Sequence, residues 1–164
     1  MPCIHSVDRR DSETMKIAIR LANTTEQLAL EALQLRASLM WEEDRELLLA
    51  NPHMIELPIE YITAGYVYIA EQANVILGFC VVLPLSDGNA ELDGIFVEPG
   101  FWHQGIGKQL VQITLNDLHI KGKVSLQVLA NPQAEGFYIA LGFKYLGKEY
   151  TQLGTAIRMI KYIR

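Results

Sequence analysis

Cysteine is nearly missing from this chain: two occur in 164 residues, Cys3 in a polar N-terminal segment and Cys80 inside an apolar run. Two thiols so placed support neither a disulfide framework nor a cysteine-based metal site, and they point to a reducing compartment. No apolar run approaches the ~18 residues that a membrane-spanning helix needs. Asp8, Arg9, Arg10, Asp11 and Glu13 stand where a signal peptide would need its apolar stretch. The expectation is a cytoplasmic protein with no membrane segment. Cationic side chains are outnumbered, 14 Lys and Arg against 19 Asp and Glu for a net charge of −5, which disfavours affinity built on neutralising nucleic-acid phosphates. Repeats, low-complexity tracts and Pro/Ser-rich linkers are absent as well. At this length one domain is expected, over residues 15–164, preceded by a flexible extension over residues 1–14.

What the chain does have is apolar periodicity in half of its residues. Residues 16–22 alternate like a strand, and Asn23-Thr24-Thr25, with Gln27 three residues after Thr24, offers a helix start. Leu28, Ala32, Leu35 and Leu39 then recur at helical spacing, which reads as a buried stripe. A second helical region runs over residues 42–50 and 58–64, with Pro58 in a first turn and Gly65 at the stop. Residues 66–70, 75–83 and 90–97 read as three hairpin-linked antiparallel strands. A helix over residues 104–120 carries Ile106, Leu110, Ile113 and Ile120 on one side and Val111, Leu115 and Leu118 on another, so it is expected to be largely buried. A strand over residues 124–129, a helix over 134–141 stopped by Gly142, and strands over 143–150 and 155–163 complete the chain. The fold class is α/β (α+β): a mixed, mostly antiparallel central sheet of about seven strands with helices on both faces.

The most informative segment lies where the third of those hairpin strands meets its helix. Val97-Glu98-Pro99 leads through Gly100 into Gly105-Ile106-Gly107 at the head of the helix. Strand, bare backbone and helix start in that order make an anion site, because first-turn amides lack partners and glycine permits close approach. A Walker A loop needs Lys-Ser/Thr after its last glycine, whereas Gly107 is followed by Lys108-Gln109, and Trp102 fills the earlier glycine position. A dinucleotide fingerprint starting at Gly105 would need glycine at Leu110 and a place near the start of a βαβ unit. Both patterns fail.

The spacing Val-x-Pro-x5-Gly-x-Gly on a strand-to-helix turn resembles the acyl-CoA pyrophosphate loop of the GCN5-related N-acetyltransferase (GNAT) superfamily. Asn131-Pro132-Gln133-Ala134-Glu135-Gly136-Phe137-Tyr138, continuing to Gly142-Phe143, is similar to that family's Asn-x-x-Ala-x-x-Phe-Tyr-x-x-x-Gly-Phe segment. The two motifs are separated by one helix and one strand, as in the family, and the resemblance covers residue 15 to the C-terminus. It implies an acetyl-CoA-dependent N-acetyltransferase with a small-molecule or peptide amine as acceptor, no metal, no nucleic acid and no membrane partner. Dimers are common among resembling proteins, so a homodimer fits the pattern. A non-catalytic acyl-CoA-binding or regulatory module of the same fold is the competing reading.

Acetyl transfer from a thioester to an amine needs an uncharged amine, donors for the developing oxyanion, and a proton for the leaving thiolate. The resemblance assigns oxyanion stabilisation, and with it cofactor contact, to the main-chain amides of Ile95, Phe96 and Val97. Gly94 just before them marks either a bulge or relief of crowding against a neighbour. It assigns the pyrophosphate to Gln104, Gly105, Ile106, Gly107 and Lys108, mostly through main-chain amides, with Trp102 and His103 of the same loop counted among the cofactor-binding residues. Trp102 and His103 depart from the family's usual Arg or Gln and glycine. Asn131 and Phe137 are implied as further cofactor contacts, Asn131 being equally suited to cap the helix ahead of Pro132. Tyr138 is implied as the general acid toward the thiolate. Glu91 matches the base of the histone-acetylating branch and Asp93 is the second choice, with solvent-facing carboxylates as the plain alternative for both. Acidic and aromatic residues of the presumed acceptor side, Trp41, Glu42, Glu43, Asp44, Glu46, Glu56, Glu60, Tyr61 and Tyr66, suit a cation or simply a solvated helix face. Neither cysteine is placed as a nucleophile, which favours direct transfer in a ternary complex.

Overall fold

The alternation over residues 16–22 forms β1 (Ala18–Leu21) in a computed structural model that describes residues 16–163. The expected extension over residues 1–14, and Cys3 with it, lies outside the described residues. Next comes α1 (Gln27–Ser38), entered through a 3-10 turn over Thr24–Glu26. The side chain that reaches back to the start is Glu26, not Gln27: it accepts from the Asn23 amide at 2.8 Å, while Gln27 donates to the Leu57 carbonyl. Two short helices follow, α2 (Glu42–Ala50) and α3 (Ile59–Thr63), and Gly65 ends the second with φ 79°.

β2 (Val67–Gln72) and β3 (Val75–Pro84) form a hairpin through Ala73 and Asn74, both at positive φ, and β4 (Asn89–Val97) continues the meander. α4 (Ile106–Ile120) crosses back to β5 (Ser125–Ala130), and α5 (Glu135–Ala140), β6 (Lys144–Thr151) and β7 (Gly154–Tyr162) close the chain. The seven strands make one sheet in the order β1-β2-β3-β4-β5-β7-β6, antiparallel at every junction except the parallel pair β4–β5. A parallel pair requires a crossover connection, and α4 supplies it.

Each face of the sheet carries its own core. On one, Ile106, Leu110, Val111 and Leu118 of α4 and Tyr138 of α5 pack on Ala90, Leu92, Leu126, Val128, Ile157 and Met159. On the other, Leu30 and Leu33 of α1 and Ile62 of α3 pack on Val67, Ile69, Phe79 and Val81. The stripe expected on α1 is therefore corrected: Leu30, Leu33 and Ala37 are buried, whereas Leu28 is 77% exposed and Ala32 is exposed. α1 is apolar around most of its circumference, so period alone offers two equivalent faces and docking selects one. Ile113 and Ile120 of α4 are likewise exposed, at 42% and 76%, because α4 covers the sheet with one face only.

One irregularity in β4 sets the geometry of everything downstream. Gly94 pairs with Val81 and Leu92 with the next β3 residue, Val82, so Asp93 is an inserted residue with no partner in β3. The insertion changes the parity of the strand. Ala90 and Leu92 face the α4 side before it, Ile95 and Val97 face that side after it, and Phe96 turns to the α1 side. Both sequence readings of Gly94 hold, since a Cβ there would lie 2.6 Å from Cε2 of Phe96. We predict that Gly94→Ala destabilises the protein by ~1–3 kcal/mol through overpacking, and by less in a Phe96→Leu background. Urea denaturation of the four proteins measures the coupling, and additivity would contradict the account.

Candidate functional site

Parallel pairing of β4 with β5 runs from Asn89 with Ser125 to Leu92 with Val128 and ends there, although both strands continue. Beyond that point β3 is the strand neighbour β4 keeps among the described residues, and its other backbone edge opens into a gap. The Glu98 amide donates to the Leu77 carbonyl on the β3 side. Antiparallel alternation then directs the polar groups of Phe96 toward β3 and those of Ile95 and Val97 into the gap. Of the three strand residues expected to offer free amides, Phe96 is thus corrected: its amide belongs to the ladder, and its ring sits 5.2 Å from that of Phe79 in the α1-side core. In the gap, the Val97 carbonyl accepts from Nε1 of Trp102 at 2.7 Å.

The helix that begins beyond this gap has an open first turn. Gly105, at φ 83°, is its N-cap, with no side-chain cap bond. Gln109 is the first residue to donate within the helix, to the Gly105 carbonyl, which leaves the amides of Ile106, Gly107 and Lys108 without intrahelical partners. Nothing lies within 4 Å of the position a Cβ on Gly105 would take. Open space, three amides and the positive end of a 15-residue helix fit a pyrophosphate. Ile106 itself is buried, while Gln104 and Lys108 are exposed. Gly107 faces the Phe137 ring, whose Cζ would be 3.2 Å from a Cβ, so Phe137 walls the cradle from the α5 side. Trp102 does not point at the cradle, since its indole turns back to β4 and packs 5.8 Å from the ring of Trp41 at the start of α2. His103 adopts φ 63°, the left-handed backbone that glycine takes without strain.

Tyr138 enters the same region from the α4 side of the sheet. It is 4% exposed and lies edge-on between Phe137 and Phe143, with ring centroids at 5.0 and 5.3 Å. Its hydroxyl makes no hydrogen bond among the described residues. No fully buried polar side-chain atom among them lacks a partner, so that hydroxyl retains contact with open space. Burial, with a smaller effect of Cys80, pushes its pKa well above the ordinary phenol value, and the group stays protonated at neutral pH. Oδ1 of Asn131 accepts the Gln133 amide at 2.9 Å, so the capping alternative for that residue is realised.

The carboxylates come from the opposite face. Oε1 of Glu91 accepts from Nη1 of Arg158 at 2.9 Å, and the same guanidinium grips both oxygens of Glu149 at 2.7 and 3.2 Å. The ion network thus spans β4, β7 and β6, crossing over β5. Neither Arg158 nor Glu149 figures in the sequence expectations. The signal was present, since an arginine in the middle of Ala156-Ile157-Arg158-Met159-Ile160 needs a charged partner to be tolerated there. Asp93 is exposed as a residue, yet its carboxyl is held above the ordinary range, first by partial desolvation and then by repulsion from Glu91.

Beside this network lies a cavity of about 740 Å³ between the start of α2, the end of β5 and the β6–β7 turn. Glu43, Asp44, Leu129, Gln133 and Thr151 contribute to its lining, and among the described residues no lysine, arginine or histidine does. Gln133 donates to Oε1 of Glu43 at 2.6 Å across the mouth. Asp44 is held above the ordinary carboxylate range by burial and then by Glu43. Of the acidic and aromatic set expected on the acceptor side, Glu43 and Asp44 reach this cavity. Trp41 serves the Trp102 contact, and Tyr61 packs beside the α1-side core, 6.4 Å from Tyr66. Among the described residues no group of three or more His, Cys, Asp or Glu could hold a metal ion, and no helix is long and apolar enough to cross a membrane.

Comparison with known proteins adds an independent line. The family model described as an acetyltransferase (GNAT) domain matches residues 63–145, from α3 to the start of β6. An uncharacterized N-acetyltransferase of Gracilaria tenuistipitata var. liui is 27% identical over 89 residues, covering 54% of this chain and 49% of that protein. The chloroplastic GCN5-related N-acetyltransferase 1 of Arabidopsis thaliana is 32% identical over 68 residues, 37% of this chain and 34% of that protein. The matched region thus spans half or less of the length of these curated relatives. Among solved structures, the PaiA N-acetyltransferase of Thermoplasma acidophilum in complex with coenzyme A superposes with a TM-score of 0.74 at 21% identity, over 90% of this chain and 99% of that one. That likeness is one of fold.

His103 is the residue of the cradle with a measurable conformational cost. We predict that His103→Gly stabilises the protein by ~0.5–1 kcal/mol in urea denaturation, the relief of a left-handed side chain exceeding the added chain entropy. A loss of stability would contradict that reading.

Proposed function

Because the chain belongs to the GNAT acetyltransferase family, we propose that it transfers an acetyl group from acetyl-CoA to a primary amine by direct attack in a ternary complex. The observation that carries the reading is the gap between β4 and β5, which opens onto the uncapped first turn of α4. Acetyl-CoA is the donor substrate. Its pyrophosphate would lie against the amides of Ile106, Gly107 and Lys108, and its pantetheine arm would run along the open edge of β4 at Ile95 and Val97. There an extended chain can add its own amides to those of the strand.

The thioester carbonyl then sits between the two faces of the sheet. Backbone amides of the open edge stabilise the oxyanion, since donors fixed in place need no reorganisation as charge develops. Tyr138, protonated and with a hydroxyl that is not fully enclosed, gives its proton to the leaving thiolate. The acceptor approaches from the α1 side, through the cavity that Glu43 and Asp44 line. A cavity that carries Glu43 and Asp44, with no cationic lining side chain among the described residues, favours a positively charged amine over an anionic acceptor. Burial pushes the thiol of Cys80 up to about 12, so it is a poor nucleophile at neutral pH and a covalent acetyl-enzyme is not needed. A reducing cytoplasm, where free thiols persist, is the setting we assign.

Acetyl-CoA binding by calorimetry and amine-dependent thiol release test the proposal together. Gly107→Glu is expected to abolish binding, because the new carboxylate meets both the Phe137 ring and the phosphate charge. Tyr138→Phe is expected to lower kcat by ~10²-fold with the affinity for acetyl-CoA within about twofold. Absence of acetyl-CoA binding to the wild-type protein overturns the proposal, and binding without thiol release for any amine favours a non-catalytic acyl-CoA-binding module.

A further inference from the structure

Two carboxylates stand two residues apart on β4, and the structure treats them in opposite ways. Glu91 is paired on both sides, opposite Leu83 in β3 and Gln127 in β5, and its carboxylate is held by Arg158 at 2.9 Å. Asp93 has a partner in neither neighbouring strand, because the bulge removes it from the β3 register and the β5 pairing has already ended at Leu92. Its side chain forms no hydrogen bond or ion pair among the described residues. Asp93 therefore stands at the point where the gap opens, free to turn toward whatever enters.

We propose that Asp93, not Glu91, takes the proton of the acceptor ammonium, directly or through one water, and that Arg158 is a positioning residue that keeps Glu91 as a fixed charge beside it. The assignment rests on the acetyltransferase reading above. An ammonium proton passes to the Asp93 carboxylate, and the freed amine lone pair forms the C–N bond at the thioester carbonyl. The C–S bond then breaks, and the thiolate is protonated from Tyr138. The attacking nitrogen loses its second proton, which restores the phenol through the water of the gap, and Asp93 releases the first proton to solvent. In sum, ammonium and thioester yield amide, thiol and one proton. The carboxyl's raised proton affinity suits this role; it comes first from desolvation and then from the charge of Glu91.

The test pairs two acceptors in a thiol-release assay: 1,4-diaminobutane, protonated near neutral pH, and hydroxylamine, which is largely unprotonated there and needs no base. Asp93→Asn is expected to lower kcat for diaminobutane ~100-fold and to remove the acid limb of its pH profile, with hydroxylamine turnover within about threefold and acetyl-CoA affinity unchanged. Glu91→Gln is expected to keep that limb and move it to lower pH, since one of the two causes that raise Asp93 is then gone. Arg158→Gln leaves Glu91 uncompensated and moves the limb to higher pH, and Arg158→Lys returns it. Carboxyl carbon NMR titration gives a reading that needs no acceptor: Asp93 titrates above the ordinary aspartate value in the wild-type protein and lower in Glu91→Gln. Asp93 titrating at or below the ordinary value overturns the assignment, and that titration decides the matter if diaminobutane is not turned over. So does an acid limb that survives Asp93→Asn and vanishes in Glu91→Gln. An acid limb unmoved by Arg158→Gln removes the role given to Arg158. Failure of the wild-type protein to release thiol with either acceptor instead removes the acetyltransferase reading itself.

Discussion

The short parallel ladder between β4 and β5 is the constraint from which the rest follows. It lasts from Asn89 with Ser125 to Leu92 with Val128 and stops where the bulge at Asp93 begins. A sheet that continued its pairing would satisfy the amides of Ile95 and Val97 internally and leave no room for an extended substrate. Because the ladder ends, β4 presents one bonded edge to β3 and one open edge to the gap. The cost of that open edge is contained by β3, whose pairing continues to Gly78 with Val97, and by the Trp102 indole on the Val97 carbonyl. Arg36 adds a further tie, holding Glu98 at 2.7 Å from α1 and keeping its carboxyl below the usual range.

The bulge also divides labour between the two faces of the sheet. By reversing parity it lets Ile95 and Val97 continue the α4-side core begun by Ala90 and Leu92, while Phe96 joins the α1-side core. On the α4 side lie the uncapped helix start, Phe137 and Tyr138. The α1 side holds Asp93, the Glu91–Arg158–Glu149 network and the cavity with Glu43 and Asp44. In the proposed function, phosphate-binding and ammonium-binding chemistry are thus kept on opposite sides of a thin sheet and meet where it parts. Such separation avoids placing a cation site and an anion site in one cavity, where each would weaken the other.

Much of this was legible in the sequence because it is written locally. The Gly105-Ile106-Gly107 turn, the Asn131 to Phe143 segment and the hairpin between residues 66 and 83 each depend on neighbours a few residues away and all appear, the hairpin with its first strand extended to Gln72 so that Ala73 and Asn74 alone make the turn. The order of elements was readable for the same reason. Faces of helices were less so: α1 carries Leu28, Leu30, Leu33 and Leu35, and period alone does not say which pair of them meets the sheet. Least legible was the ion network, since Arg158 and Glu91 are 67 positions apart and meet because β7 inserts between β5 and β6. The bulge was readable as one of two explanations of Gly94, and the crowding against Phe96 shows that one glycine serves both.

A groove of about 780 Å³ between the second half of α4 and the start of β6, flanked by His119, Lys144 and Lys161, is another concave surface large enough for part of a coenzyme. Backbone amide NMR during titration with coenzyme A separates the two places directly. The account predicts that the amide signals of Ile95, Val97, Ile106, Gly107 and Lys108 move together and saturate at one affinity. Shifts confined to the α4–β6 groove, with those five amides unmoved, would contradict it.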